Sequence, residues 1–98
     1  MELEFATSRL ERASQSLALA ERIFGVPIGR KYIQRMAVLS AVEEFGQLHG
    51  MLALRIHELK GDRASQHALT LTGNFRLVIE RIRKDRVRIL SVEDYHGD

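Results

Sequence analysis

Seven side chains in the second half of this chain have the chemistry of proton transfer and anion binding: His57, Lys60, Arg63, Arg76, Asp94, Tyr95 and His96. Imidazole titrates near neutrality, so His57 and His96 can lend or take a proton at working pH. A carboxylate such as Asp94 can orient an imidazole or accept a proton itself. Lys60 and Arg63 flank a glycine in Lys60-Gly61-Asp62-Arg63, which reads either as an exposed turn or as a contact to a phosphate backbone. Arg76 lies inside the apolar run Phe75-Arg76-Leu77-Val78-Ile79. An arginine placed there needs an acid or an anion to offset its burial, and Glu93 or Asp94 could supply a structural ion pair. Asp94-Tyr95-His96 puts a carboxylate, a phenol and an imidazole in succession. On a strand, Asp94 and His96 share one side and Tyr95 takes the other. A frayed, water-facing terminus accounts for the same three residues. Metal-binding spacing is absent from the histidines, and zinc held by His57, His67 and Asp94 would require folding alone to bring them together.

These groups need elements to position them. With 98 residues, the chain is expected to form a single domain, 1–98, around one core. Hydrophobic residues make up 45% and charged residues 29%, a globular rather than a disordered balance. Without cysteine there is no disulfide framework and no thiolate site, which suits a reducing, cytoplasmic setting. The start, Met1-Glu2-Leu3-Glu4, is acidic and reads as neither signal nor transit peptide. No apolar run approaches membrane-spanning length. The formal charge of +2 is mild. Its distribution is not, because Arg76, Arg81, Arg83, Lys84, Arg86 and Arg88 crowd one segment opposed by Glu80 and Asp85. A charged sheet edge that resists aggregation and a phosphate-facing patch both fit.

In chain order, Leu3 and Phe5 alternate with acids and predict a short strand over 2–6. Ser8-Arg9-Leu10-Glu11 has the form of a capping box, which predicts a helix from Arg9. Leu10, Ala13, Leu17, Ala20 and Phe24 give that helix one apolar stripe, and Gly25 stops it. Pro27 suits the first turn of a second helix. Ile33, Met36, Ala37 and Ala41 form its stripe, Val38, Leu39, Val42 and Phe45 broaden it, and Gly46 ends it. Two helices joined this tightly predict an antiparallel hairpin. A loop is expected over 47–53. Strands follow over 66–72 and 75–82, linked by a Gly73-Asn74 turn. A turn over 83–86 leads to a third strand that runs into Asp94-Tyr95-His96. Its apolar phase switches between Ile89 and Leu90, which predicts a bulge or a strand buried on both faces.

Three pieces taken together resemble a known family. His57-Glu58-Leu59-Lys60-Gly61-Asp62-Arg63, then Asn74-Phe75-Arg76-Leu77, then Glu93-Asp94-Tyr95-His96 resemble the HigB branch of the RelE/ParE-like bacterial toxins. The resemblance covers most of the second half, while the first half agrees in its pattern of a strand followed by a helical hairpin. Ser65-Gln66-His67 and Phe75 depart from what relatives often carry. The resemblance implies an α+β, RelE-like fold: a short N-terminal strand, an antiparallel helical hairpin, then a mainly antiparallel three-strand C-terminal sheet with helices packed on one face. It further implies a toxin of a type II toxin–antitoxin pair that cuts messenger RNA on the ribosome without a metal or other cofactor. The family's loop histidine falls on His57 and its terminal catalytic group on Asp94, Tyr95 and His96. Its basic residues fall on Lys60 and Arg76, with Arg63 as a further RNA contact. The implied partners are a HigA-like helix-turn-helix antitoxin, the ribosome and mRNA. A ParE-like, non-enzymatic gyrase inhibitor is the alternative from another class.

Overall fold

The computed structural model of the chain describes residues 1–95. The order of elements is β1 (Glu2–Phe5), α1 (Ser8–Ala13), α2 (Leu17–Phe24), α3 (Val26–Ala41), β2 (His57–Glu58), β3 (Gln66–Thr70), β4 (Phe75–Arg83) and β5 (Arg86–Asp94). Among the described residues, no helix is long and apolar enough to cross a membrane.

The first expected helix is divided in two. Thr7, rather than Ser8, caps α1, its hydroxyl accepting from the Leu10 amide at 3.2 Å. The Ser14 hydroxyl then donates to the Glu11 carbonyl at 2.6 Å as α1 ends. Ser16 restarts the helix by accepting from the Leu19 amide at 3.1 Å. Short hydroxyl side chains compete for backbone groups in this way, so apolar spacing alone overran the break. The expected hairpin survives as α2 and α3, joined at Gly25, whose φ of 87° suits glycine. Helix α3 stops at Ala41, because Val42 is extended (φ −73°, ψ 150°), well before Gly46. The stretch expected to be a loop holds two 3-10 turns instead, Phe45–Gly50 and Leu52–Leu54.

The sheet is larger than the three strands expected and mixed in direction. Its order is β1-β5-β4-β3-β2, with β1 parallel to β5 and every other pair antiparallel. The short N-terminal strand thus extends the C-terminal sheet instead of standing apart from it. Helices cover one face. Tyr32 and Leu39 from α3 are fully buried with Leu69, Leu77, Ile79, Val87 and Ile89 from the strands. Burying each such side chain is worth roughly 1.5–3 kcal/mol, so this layer dominates stability. The Tyr32 hydroxyl satisfies itself on the Leu10 carbonyl at 2.7 Å and ties α3 to α1.

The predicted bulge is present. Val78 pairs with Ser91 while Ile79 pairs with Ile89, so Leu90 is the extra residue. Without it, strict alternation from Val87 and Ile89 would turn Ser91 and Glu93 toward the helices. With it, Val92 joins the helix-side core and Ser91 and Glu93 pass to the open face. Leu90 itself packs with Leu59, Ala68 and Val78 in a small apolar cluster on that open face.

Helices α2 and α3 cross at Gly29, where an added Cβ would meet the Ala20 backbone at 2.6 Å. Gly29→Ala is expected to destabilise the fold by about 1–3 kcal/mol in urea unfolding. Gly46→Ala, with nothing within 4 Å of the new methyl, should stay within about 0.5 kcal/mol of wild type.

Candidate nucleic-acid interface and active site

The open face of the sheet carries the candidate site. In one row of neighbouring residues, Thr70 on β3 stands beside Arg76 on β4, which stands beside Glu93 on β5. In the next row lie His57, Ala68, Val78 and Ser91. His57 and Arg76 therefore share a face, two strands and one residue pair apart, roughly 12 Å between Cα atoms from strand spacing.

Arg76 is the most enclosed cation of the group, its side chain 15% exposed. Its Nη2 donates to Glu93 Oε1 at 3.3 Å, and its guanidinium lies 4.9 Å from the centre of the Tyr95 ring. Both contacts favour a fixed, charged arginine. Its Nε is buried without a hydrogen-bond acceptor among the described residues. The ion pair allowed for in the sequence is thus present, with Glu93 as the acid.

Arg63 arrives differently. Gly61, at φ 72°, turns the chain through the short 3-10 turn Gly61–Arg63 and brings Arg63 back over the sheet. There it forms a two-pronged pair with Glu93, Nη1 to Oε1 at 3.1 Å and Nη2 to Oε2 at 2.7 Å. Its Nε donates to Gln66 Oε1 at 3.0 Å. Arg63, Ser91 and Arg76 pull the Glu93 carboxyl down to about 2, the paired hydrogen bonds from Arg63 contributing most, against an opposing push from burial. Arg63 is correspondingly held above its ordinary value. Lys60, exposed, sits at the entry to the same turn.

His57 is exposed, and its Nδ1 lies 3.3 Å from the Arg55 carbonyl. A carbonyl can only accept, so an Nδ1–H would donate there, and Nε2 takes no part in this contact. Arg55 has a φ of 48°, an uncommon conformation for a side chain with a Cβ, just before the strand that presents His57.

Asp94 pairs with Phe75, whose ring packs on the helix-side core. The register therefore sets Asp94 on the opposite face from Arg76, while Tyr95 returns to the open face and stacks on Arg76. This is the alternation expected for Asp94 and Tyr95; His96 lies outside the described residues. His67 belongs elsewhere. It faces the helix side, edge-on to Phe45 with ring centres 4.9 Å apart, and burial holds its pKa below the usual value. Register thus sets His57 and His67 on opposite faces, so the zinc arrangement weighed from sequence does not assemble.

Much of the basic crowding in 76–88 is internally matched. Arg86 pairs with Glu2 and, at 3.0 Å, with Glu4. Arg88 pairs with Glu4 at 2.9 Å and Glu80 at 3.5 Å. These pairs lace β1 to β5 and spend Arg86 and Arg88 on structural ion pairs; β5 lies inside the sheet between β1 and β4, so neither residue is on the exposed edge allowed for in the sequence.

Sequence reading missed Glu93 as the shared acceptor, together with Ser91 and Gln66. The available signal was Ser91-x-Glu93, two polar residues on one strand face just beyond a switch in phase. An acid whose folded pKa lies below its unfolded one adds stability that is complete above the unfolded value and vanishes as pH falls through the folded value. For Glu93 that window runs from about 4.5 down to about 2. Wild type should therefore exceed Glu93→Gln by on the order of 2 kcal/mol at pH 6, the gap closing toward pH 2 in chemical denaturation. A gap that does not change with pH would contradict this.

No protein-family model matches the chain. Over 62 residues it is 34% identical to Endoribonuclease HigB of Proteus vulgaris, a match that takes in 63% of this chain and 65% of that protein, just under two thirds of its length. The structure superposes on a YoeB/ParE toxin from Agrobacterium tumefaciens with a TM-score of 0.65 at 14% identity, covering 98% of this chain and all of the other. It also superposes on a histidine-to-glutamine mutant of YafQ from E. coli with a TM-score of 0.59 at 12% identity, covering 95% and 91%. Expected and observed architecture agree: the chain has the fold of these YoeB/ParE and YafQ toxin structures, and part of its sequence is similar to Endoribonuclease HigB.

Proposed function

We propose that this chain is the endoribonuclease toxin of a toxin–antitoxin pair, cutting messenger RNA on the ribosome and so inhibiting translation. The observation that carries this reading is Arg76. It sits on an open sheet face between Glu93 and the Tyr95 ring, with His57 on the same side. Similarity to Endoribonuclease HigB supports the same choice.

The reaction is transesterification. The RNA 2′-hydroxyl attacks its adjacent phosphorus, forming the P–O2′ bond and breaking the P–O5′ bond. One proton leaves the 2′-oxygen and one is delivered to the 5′-oxygen. Arg76, with Lys60 in support, offsets charge growing on the phosphate oxygens; fixed cations in such a site contribute strongly to rate. The proton roles fall to His57 and to the terminal His96; Asp94, expected from the resemblance to share them, is set by the register on the face opposite Arg76 and is not at the same phosphate. Tyr95 supplies a ring on the open face against which a base can stack. The reading needs no metal or cofactor. The partner that restrains it is a HigA-like helix-turn-helix antitoxin.

Cleavage of message on programmed ribosomes tests this reading. Arg76→Ala is expected to lower the rate by about 10²–10³-fold, the range for removing a preorganised donor. His57→Ala and His96→Ala are expected to cost about 10²–10⁴-fold each, the range for a general acid or base. Undiminished cleavage in Arg76→Ala and His57→Ala would overturn the site. Inhibition of DNA supercoiling with message intact would replace it with the ParE-like, non-enzymatic alternative.

A further inference from the structure

Glu93 has more contacts than neutralising one arginine requires. Its two oxygens accept from Arg63 twice, from Arg76 and from the Ser91 hydroxyl, the last at 2.6 Å. Its two cationic partners come from different parts of the fold. Arg76 belongs to a central strand, whereas Arg63 ends the connection between β2 and β3 that also carries Lys60. Arg63 has both prongs on Glu93 and its Nε on Gln66, so its donors are directed into the protein. The connection has one apolar anchor at its start, Leu59, in the small open-face cluster. Its later part is held by the Arg63 contacts.

We propose that Glu93 is a positioning residue: through Arg63 it anchors the 59–65 loop that carries Lys60, and through Arg76 it aims the guanidinium that meets phosphate. Arg63, expected from sequence to contact RNA, is on this view a tether. The proposal rests on the reading given under Proposed function for what Lys60 and Arg76 do. It follows from valence. A planar guanidinium that spends its fork on a carboxylate has little geometry left for a second anion, while a carboxylate that accepts four hydrogen bonds is held in one orientation. Glu93 thereby sets the distance between a loop and a strand that, among the described residues, no backbone hydrogen bond links at that point.

Four variants test this: Glu93→Gln, which keeps shape and removes charge; Arg63→Lys, which keeps charge and removes the fork; the double variant of these two; and Arg63→Gln, which removes the cation. On programmed ribosomes, each single change is expected to lower kcat roughly tenfold to a hundredfold, the cost of misplacing reacting groups. Affinity for RNA should hold or rise in Glu93→Gln, which removes a negative charge. The double variant should be no slower than the slower single variant, because both break one linkage. Independent, multiplying losses would overturn the proposal. So would a weakened RNA affinity in Arg63→Gln with the salt dependence reduced by about one ion, the mark of a phosphate contact. Hydrogen exchange separates this idea from the reading beneath it. Amides of 59–65 should exchange faster in Glu93→Gln and Arg63→Lys, with those of 77–79 unchanged. If wild type cleaves no RNA, the functional reading fails while exchange still judges the tether. Unchanged exchange in 59–65 would end it.

Discussion

The one-residue bulge at Leu90 is the constraint on which the rest of this molecule depends. Two demands meet on β5. Its first half must bury Val87 and Ile89 under the helices, and its second half must deliver Ser91 and Glu93 to the opposite face beside Arg76. A strand with an unbroken period of two cannot do both. The extra residue resolves the conflict, and its side chain is not wasted. Leu90 completes the open-face cluster with Leu59, Ala68 and Val78, and Leu59 starts the loop that Arg63 later closes. The same bulge therefore orients the acid and builds the floor beneath the base of the loop.

Charge on the open face is unevenly matched, which decides which end suits an anion. At the Glu93 end, two arginines share one carboxylate, with Lys60 nearby. At the far end, three carboxylates, Glu2, Glu4 and Glu80, surround Arg86 and Arg88. Arg88 first and Arg86 second hold the Glu4 carboxyl below its usual range. The first group retains positive charge in a partly enclosed setting, while the second is spent on holding a parallel edge strand to its neighbour. Counting cations along the chain could not separate these two uses, because two of the three acids that neutralise Arg86 and Arg88, Glu2 and Glu4, lie more than eighty residues away at the other end of the sequence.

What was legible follows the range of the physics involved. The strands and their turns were readable because β-patterning is local: β3, β4 and β5 fall where alternation and turn residues put them, and the Ile89–Leu90 phase switch marks the bulge. Helix ends were less readable. Thr7 and Ser8 are adjacent, both can cap, and the choice goes to the one whose hydroxyl reaches the Leu10 amide. The division at Ser14–Ser16 is likewise a competition among local hydrogen bonds that apolar periodicity does not register. At the site, residue types indicated Arg76 and His57, and register places them on one face. The partition of Asp94 and Tyr95 between faces was readable from strand alternation. The role of Glu93 was not, because it depends on Arg63 folding back across thirty residues.

A chain of this size has few ways to hold a surface loop still. Ordering each loop residue costs roughly 1–2 kcal/mol of backbone entropy, and the 59–65 connection buries little apolar surface with which to offset it. Gly61 adds to that cost, since its turn at φ 72° requires the most flexible residue. A single exposed ion pair would contribute under about 1 kcal/mol. The arrangement around Glu93 differs in kind: it is two-pronged, partly shielded, shared with a second arginine and fixed by Ser91. Sharing lowers the entropic cost per contact, because the Glu93 side chain is ordered once for four hydrogen bonds. That network also couples the loop to the strand that carries Arg76, so Arg63 and Arg76 are held by one carboxylate rather than by two independent parts of the fold.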